Sequence, residues 1–266
     1  MIRLFFFAMC LVVTAVMPAR TQVLTSIPAA AADDPKSFWG AVMTEFYGPY
    51  DKRLKCWKGT VKQDTLCMRP HVLASVMVDG KPRHFVVMSG YAPGPDGARP
   101  DCHACGGKLG LVVLAPAGER LALVARNDLA TDAGSWGSTP PEEAFRLVEL
   151  GKGNYGWLME SAYTGQGYTE GGVSIFGVIG DRVFDLGFIG TYADNGGTCG
   201  DGMGACYTHS YEILADPASS AEPFGDLIAR KLESTRGDTP DMVRIPYAQD
   251  TLRYEMPAAL EAALGN

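Results

Sequence analysis

The sequence predicts a mainly β protein made of consecutive antiparallel four-stranded meanders, with one short helix near its N-terminus. From His71 onward, runs rich in Val, Leu, Ile and Tyr are separated by Gly, Asp and Pro at hairpin spacing. The chain is also similar to itself, because the hairpin that turns at Asp79-Gly80 matches the one that turns at Gly151-Lys152. These patterns indicate repeated hairpins.

The predicted N-terminal helix begins at Pro35, because proline is favoured in the first helical turn and Asp34 is a favourable N-cap residue. Its apolar residues are four apart and share one face: Phe38, Val42 and Phe46. The pair Gly48-Pro49 is expected to end it.

Three degenerate repeats are predicted, at about residues 71–127, 144–192 and 207–257. Further hairpin turns are expected at Gly118-Glu119, Gly180-Asp181 and Gln249-Asp250. The segment around Ile228 fits either a strand or a helix, and a short helix is expected from Pro257 to Gly265. Chance similarity between hairpin-rich segments is the alternative to a true repeat. The sequence leaves propeller-like, barrel and sandwich packing open.

The N-terminus has the pattern of a signal peptide. Arg3 precedes an apolar run of fourteen residues from Leu4 to Met17, and no acidic residue occurs before Asp33. A bilayer-spanning helix needs roughly 20 apolar residues, so this run is too short for an anchor. The sequence therefore predicts export to the periplasm or the medium.

The small residues Ala30 and Ala32 suit a signal peptidase, so we expect cleavage after Ala32. This divides the chain into a signal peptide at 1–32 and a single β-rich domain at 33–266. The long gap after the apolar run leaves two alternatives: an earlier cut near Ala19, or a true start codon at Met9.

Composition narrows the partner classes. The formal net charge is −7, and the sequence has no run of lysine or arginine, which disfavours nucleic acid. No later apolar stretch is long enough to span a bilayer. The expected partner is an extracytoplasmic protein, peptide or saccharide.

Cysteine usage fits an oxidising compartment. One of the seven cysteines lies in the predicted leader, and the other six form three sequence-local pairs. We expect nearest neighbours to be bridged: Cys56 with Cys67, Cys102 with Cys105, and Cys199 with Cys206. Spacing alone permits 15 connectivities.

The segment Cys102-His103-Ala104-Cys105 has two interpretations. A C-x-x-C pair with an intervening histidine occurs in thiol-disulfide oxidoreductases, where a helix start lowers the thiol pKa. Here the pair lies between Pro100 and two glycines in a loop that links strands, which favours a structural bridge. A zinc site with a distant histidine has less support, because the sequence offers no second C-x-x-C.

Two further sites are considered. The glycine-rich loop with Asp194, Asn195 and Asp201 offers oxygen ligands for calcium, although the spacing is not that of an EF-hand and such residues dominate ordinary turns. No other cofactor is expected. Glu160, Asp185 and Asp194 could supply a carboxylate pair for a hydrolase. The sequence has no G-x-S-x-G motif for a nucleophilic serine.

Several aromatic residues lie beside glycines, where a flat ring can be presented to a sugar, peptide or protein. They are Trp136, Tyr163, Tyr168, Tyr192 and Tyr207. Core packing is the alternative for each. The leading functional prediction is an exported, non-catalytic binding or interaction protein that presents disulfide-held loops from a β scaffold. The alternatives are the hydrolase and the oxidoreductase.

Overall fold

The computed structural model describes residues 23–200, 202–219 and 222–265. Its helices and strands, in chain order, are β1 (Val23–Pro28), α1 (Pro35–Tyr47), β2 (Tyr50–Asp51), β3 (Cys56–Val61), β4 (Asp64–Val78), β5 (Lys81–Tyr91), β6 (Gly107–Ala117), β7 (Arg120–Ala133), β8 (Phe145–Gly151), β9 (Asn154–Gly165), β10 (Tyr168–Ile179), β11 (Arg182–Asp194), β12 (Thr208–Ala215), β13 (Leu227–Ser234), β14 (Met242–Ile245), β15 (Tyr247–Ala248), β16 (Arg253–Tyr254) and α2 (Ala258–Leu264). The predicted class, mainly β and mostly antiparallel with a short N-terminal helix, is confirmed. Within the described ranges, no helix has the length and apolar character needed to cross a membrane.

Helix α1 forms where its capping residues predict. The Asp34 carboxylate accepts a hydrogen bond from the Ser37 backbone N–H at 2.8 Å, and proline opens the first turn. Phe38 and Val42 are buried on the face that packs against the sheet. Gly48, with φ of +80°, ends the helix.

Two complete four-stranded meanders are present. Strands β4 to β7 pair antiparallel in sequence order, and so do strands β8 to β11. The first predicted turn has positive φ at both central residues, +51° at Asp79 and +74° at Gly80, as a two-residue hairpin turn requires. The turns at Gly118-Glu119 and Gly180-Asp181 also join antiparallel neighbours.

The third unit differs from the prediction because it has three strands, β12 to β14. The segment around Ile228 is strand β13. After β14 the chain forms a separate two-stranded ribbon, β15 with β16, around the predicted Gln249-Asp250 turn. Pro246 lies between β14 and β15, and a residue without a backbone N–H interrupts a ladder at that position. Helix α2 follows Pro257 as expected.

The meanders pack face to face as layers. Helix α1 covers one face of the first meander, where Val86 and Met88 of β5 share a core with it and with Ile27 of β1. The intervening residues Phe85 and Val87 point to the opposite face, which packs on the second meander. The other face of the second meander packs on the third unit and α2. The two inner meanders are thus covered on both sides, whereas β12 to β14 bury only alternate residues.

Strand β11 links the layers. It pairs with β10, meets β7 in a parallel contact between Arg182 and Arg126, and pairs with β12 from Tyr192 to Asp194. Among the described strands, the order runs from β14 to β2, with side branches that end at β1 and β8. The sheet therefore does not close on itself.

Part of the predicted leader belongs to the fold. Strand β1 pairs with β7, Ile27 is fully buried, and the Thr25 hydroxyl donates to the Leu121 carbonyl at 2.7 Å. Residues 29–33 form a 3-10 turn that packs on the same core. The apolar run Leu4–Met17 lies outside the described residues, so the signal peptide and its cleavage position stay predictions.

Candidate functional site

The six cysteines in the described part of the chain lie in the three nearest-neighbour pairs. The Cα atoms are 5.4 Å apart in Cys56–Cys67, 5.2 Å in Cys102–Cys105 and 5.0 Å in Cys199–Cys206. The first pair is fully buried between β3 and β4. Cys102 is exposed in the loop that joins β5 to β6.

The Cys102–Cys105 loop docks against the segment at residues 134–138 through its backbone. The Cys102 carbonyl accepts from the N–H groups of Cys105 and Trp136, at 3.0 and 3.2 Å. The Cys105 carbonyl accepts from the Gly137 N–H at 2.7 Å. A strand follows this loop, not a helix, so the loop lacks the helix N-terminus that favours a thiolate in oxidoreductases.

This docking places His103 among two of the predicted binding aromatics. The centre of its ring lies 5.6 Å from that of Trp136 and 5.3 Å from that of Tyr163, and both contacts are edge-to-face. Trp136 is 48 % exposed and Tyr163 is 60 % exposed. Three aromatic side chains from three separate segments thus converge at one surface.

His103 and Tyr163 line an open cleft of about 870 Å³, and Trp136 lies next to it. The side chains of the cleft come from the Cys102–Cys105 loop, the hairpin of β9 and β10, strand β11 and helix α2. Tyr192, another predicted binding residue, lines it together with Phe188. Phe188 was not predicted from the sequence. Its side chain is 52 % exposed, although both of its neighbours on β11, Gly187 and Ile189, are buried.

Two carboxylates give the cleft its charge. Glu170 lies on β10 directly opposite Tyr163 of β9, and Glu261 lies on α2. Within the described ranges, no lysine or arginine lines the cleft and neither carboxylate forms an ion pair. Desolvation, with the charges of Asp194 and Glu233, raises the pKa of Tyr192. Its phenol is therefore a hydrogen-bond donor at neutral pH.

A smaller cleft of about 320 Å³ continues the first one. It lies between the segment at residues 134–141 and the outer part of β9 at residues 160–162. The two clefts share Gly134, Ser135, Ser161 and Ala162. We call the combined surface the aromatic cleft.

The other two predicted aromatics lie away from this surface. Tyr168 is 42 % exposed at the tip of the β9–β10 hairpin and does not line the cleft. The Tyr207 ring stacks on His209, with 5.5 Å between centroids, beside the Cys199–Cys206 loop. The structure thus places Tyr163 and Tyr192 in the cleft and Trp136 beside it, against His103. It leaves Tyr168 and Tyr207 apart.

The predicted calcium ligands hold their own loop. Asp194 accepts hydrogen bonds from the Gly196 N–H at 2.9 Å and the Thr208 hydroxyl at 2.9 Å. The Asn195 side chain accepts from the Tyr207 N–H at 2.7 Å and donates to the Ala205 carbonyl at 3.0 Å. Asp201 lies outside the described residues, so the calcium site stays a prediction.

The carboxylates considered for hydrolysis are not brought together. Asp185 and Asp194 lie nine residues apart on β11, which is about 30 Å at strand spacing. Glu160 lies two strands away, opposite Val173, which in turn lies opposite Ile189. It also forms an ion pair with Arg146 at 3.5 Å. Glycoside cleavage requires carboxyl groups about 5 to 10 Å apart.

No model of a known protein family matches the sequence, and neither a curated protein nor a solved structure matches it.

Proposed function

We propose that this chain is an exported, non-catalytic binding protein whose ligand occupies the aromatic cleft. The observation that carries the proposal is a group of aromatic rings beside a disulfide-held loop: Tyr163 and Tyr192 line the cleft, and Trp136 lies next to it against His103. Exposed aromatic rings gathered around an open concave surface are typical of recognition sites. The cleft also offers carboxylate acceptors and a phenol donor to orient a ligand.

The arrangement of polar groups favours binding over catalysis. His103 is the only histidine that lines the cleft among the described residues, and its recorded contacts are with aromatic rings. Among the described residues, no hydrogen bond joins the His103 ring to the hydroxyl of Ser135 or Ser161. A nucleophile activated by a base requires such a contact.

Ligand screening tests the binding function. The mature protein is applied to arrays of peptides and of saccharides, and each bound compound is then titrated by calorimetry. Trp136→Ala and Tyr163→Ala should each weaken binding by about tenfold, since a buried aromatic contact contributes about 1.4 kcal/mol. Tyr50→Ala removes an exposed aromatic outside the cleft and is the matched control. Binding that neither cleft variant weakens would contradict the proposal.

Export is supported by the signal-peptide pattern and by three cysteine pairs at disulfide distance. Because Ile27 is buried and β1 belongs to the sheet, we place the cut near Ala19 and not after Ala32. Mass spectrometry of the exported protein should show an N-terminus before Val23. A mature chain that starts at Asp33 would contradict this position, and intact Met1 in the cytosol would contradict export.

A further inference from the structure

The outer part of β9 has a free edge. Strand β8 begins at Phe145, which pairs with Met159 of β9. Beyond that pair, residues 160–165 of β9 pair with β10 on one side, and among the described residues no strand pairs with them on the other. Glu160, Ala162 and Thr164 are all exposed. A free edge of this kind is a template for one more strand.

The hairpin turn fixes which backbone groups face outward. Gln166 and Gly167 have φ of +53° and +83°, so β9 and β10 are joined by a two-residue turn. The residues that flank such a turn form a hydrogen-bonded pair, and hydrogen-bonded pairs then alternate along the ladder. The backbone groups of Ser161 and Tyr163 therefore point to β10. Those of Glu160, Ala162 and Thr164 point to the free edge.

An open cleft lies along this edge. The smaller part of the aromatic cleft separates residues 160–162 from the segment at residues 134–141. It opens directly into the larger part, where Tyr163 and Glu170 lie. An extended chain along β9 would thus have backbone partners on one side and the aromatic residues within reach of its alternate side chains.

We propose that the free edge of β9 binds an extended, basic peptide as an additional antiparallel or parallel strand. This inference rests on the proposed function, because it names the occupant of the aromatic cleft. Charge complementarity selects the basic peptide. Among the described residues, three carboxylates line the cleft, and only Glu160 is paired, with Arg146. Within the same ranges, Glu170 and Glu261 form no ion pair, and no lysine or arginine lines the cleft. A second copy of this chain, with net charge −7, would bring the wrong sign.

The side chains present suit lysine or arginine. The carboxylate of Glu170 lies across the ladder from the Tyr163 ring, so one cation can meet a negative charge and an aromatic face together. Trp136 offers a second exposed ring on the far side of His103. Backbone hydrogen bonds supply affinity in this mode, and alternate side chains supply selectivity.

The first experiment titrates the mature protein with a synthetic peptide that alternates arginine and threonine. Controls are the glutamate-threonine counterpart, a neutral oligosaccharide, and the basic peptide N-methylated at alternate residues. We expect the basic peptide to bind and the acidic one not to bind. N-methylation should weaken binding by about tenfold or more, because it removes backbone donors but keeps every charge.

Variants of the protein locate the site. Ala162→Pro removes an edge N–H that β10 does not use and should abolish binding, whereas Ala162→Val keeps that N–H and should retain it. Glu170→Gln and Glu261→Gln should each weaken binding by up to about fivefold, the range of an exposed ion pair. Glu119→Gln makes the same charge change in the β6–β7 turn and should have no effect. Circular dichroism checks that each variant is folded.

The outcomes separate the two proposals. Saccharide binding that depends on Trp136 and Tyr163 would overturn the peptide inference and keep the binding function. Peptide binding that N-methylation and Ala162→Pro leave unchanged would overturn strand addition. A dimer in sedimentation that Ala162→Pro converts to a monomer would assign the edge to a second copy and overturn the basic peptide. Binding that no substitution in the cleft weakens would overturn both proposals.

Discussion

Two disulfides in the same half of the molecule have different surroundings. Cys56 and Cys67 join β3 to β4, have no exposed surface, and pack with Tyr91. Cys102 and Cys105 close a loop outside the sheet, where Cys102 is exposed beside the aromatic cleft. Both pairs are sequence-local, so spacing does not distinguish a bridge inside the sheet from one that shapes a surface. Burial does.

The largest effect is expected from removing the buried bridge. In Cys56→Ser with Cys67→Ser, the lost loop constraint costs about 3 kcal/mol, and hydroxyls buried without partners add about 1 kcal/mol or more. We therefore expect the free energy of unfolding, measured in urea, to fall by about 4 kcal/mol. The Cys199→Ser, Cys206→Ser double variant, at a partly exposed loop, should lose less. Equal losses of unfolding free energy in the two double variants would show that burial does not set how much a bridge stabilises the fold.

Removing the exposed Cys102–Cys105 bridge should lower the unfolding free energy less than removing the buried one, but it should weaken ligand binding more. The closed loop is short, so Cys102→Ser with Cys105→Ser should lower the unfolding free energy by about 1.5 kcal/mol. Affinity for a ligand of the cleft should fall in parallel, because the loop would no longer hold His103 against Trp136 and Tyr163. Calorimetric titration below the melting temperature measures this. Full affinity in the variant would show that the bridge does not shape the cleft.

The same contrast between buried and exposed positions extends to the histidines. Burial lowers the pKa of His84, whose Nδ1 hydrogen-bonds to the Ser75 hydroxyl at 2.8 Å. Below about pH 6.5 the unfolded chain binds a proton that the folded protein does not, so stability falls as the pH drops from 7.5 to 5.5. His84→Asn should reduce this slope in thermal unfolding. His103→Asn, at an exposed loop position, is the control, and an equal reduction there would contradict the assignment.

The last prediction is that no effect will be seen: the reactivity of the exposed cysteines should match that of free cysteine. After reduction, Cys102 and Cys105 should react with iodoacetamide with the pH profile of free cysteine, half-maximal at about pH 8.5. No helix start lies beside them, and the cleft is acidic. A profile with its midpoint below about pH 7 would instead support the oxidoreductase alternative.

The sequence predicts elements that are determined locally. Asp34 and Pro35 define the start of α1, and Asp79-Gly80 specifies a hairpin, because a cap or a two-residue turn depends on a few neighbouring residues. Strand β1 is missed because its partner β7 lies about 100 residues away, and the segment reads equally well as part of a leader. The third unit is misjudged because one proline, Pro246, decides where pairing stops.

The candidate site also combines residues that local sequence identifies with residues that only the tertiary fold brings together. Trp136 and Tyr163 could be named because exposed aromatics beside glycines are recognisable in a sequence. Glu170 could also have been found, since the Gln166-Gly167 turn sets the register that places it opposite Tyr163. Glu261 could not, because only the docking of α2 on β11 brings it to the cleft. The free edge of β9 depends on where β8 begins, which local patterns do not reveal.

Strand β11 has a consequence for how the molecule melts. It belongs to the second meander, meets β7 of the first at Arg182, and carries β12 of the third unit at Tyr192–Asp194. No layer can detach without breaking contacts of this one strand or uncovering a face of its neighbour. Heating should therefore produce a single calorimetric transition whose van't Hoff and calorimetric enthalpies agree, and not a sequence of steps in which the layers are released one after another.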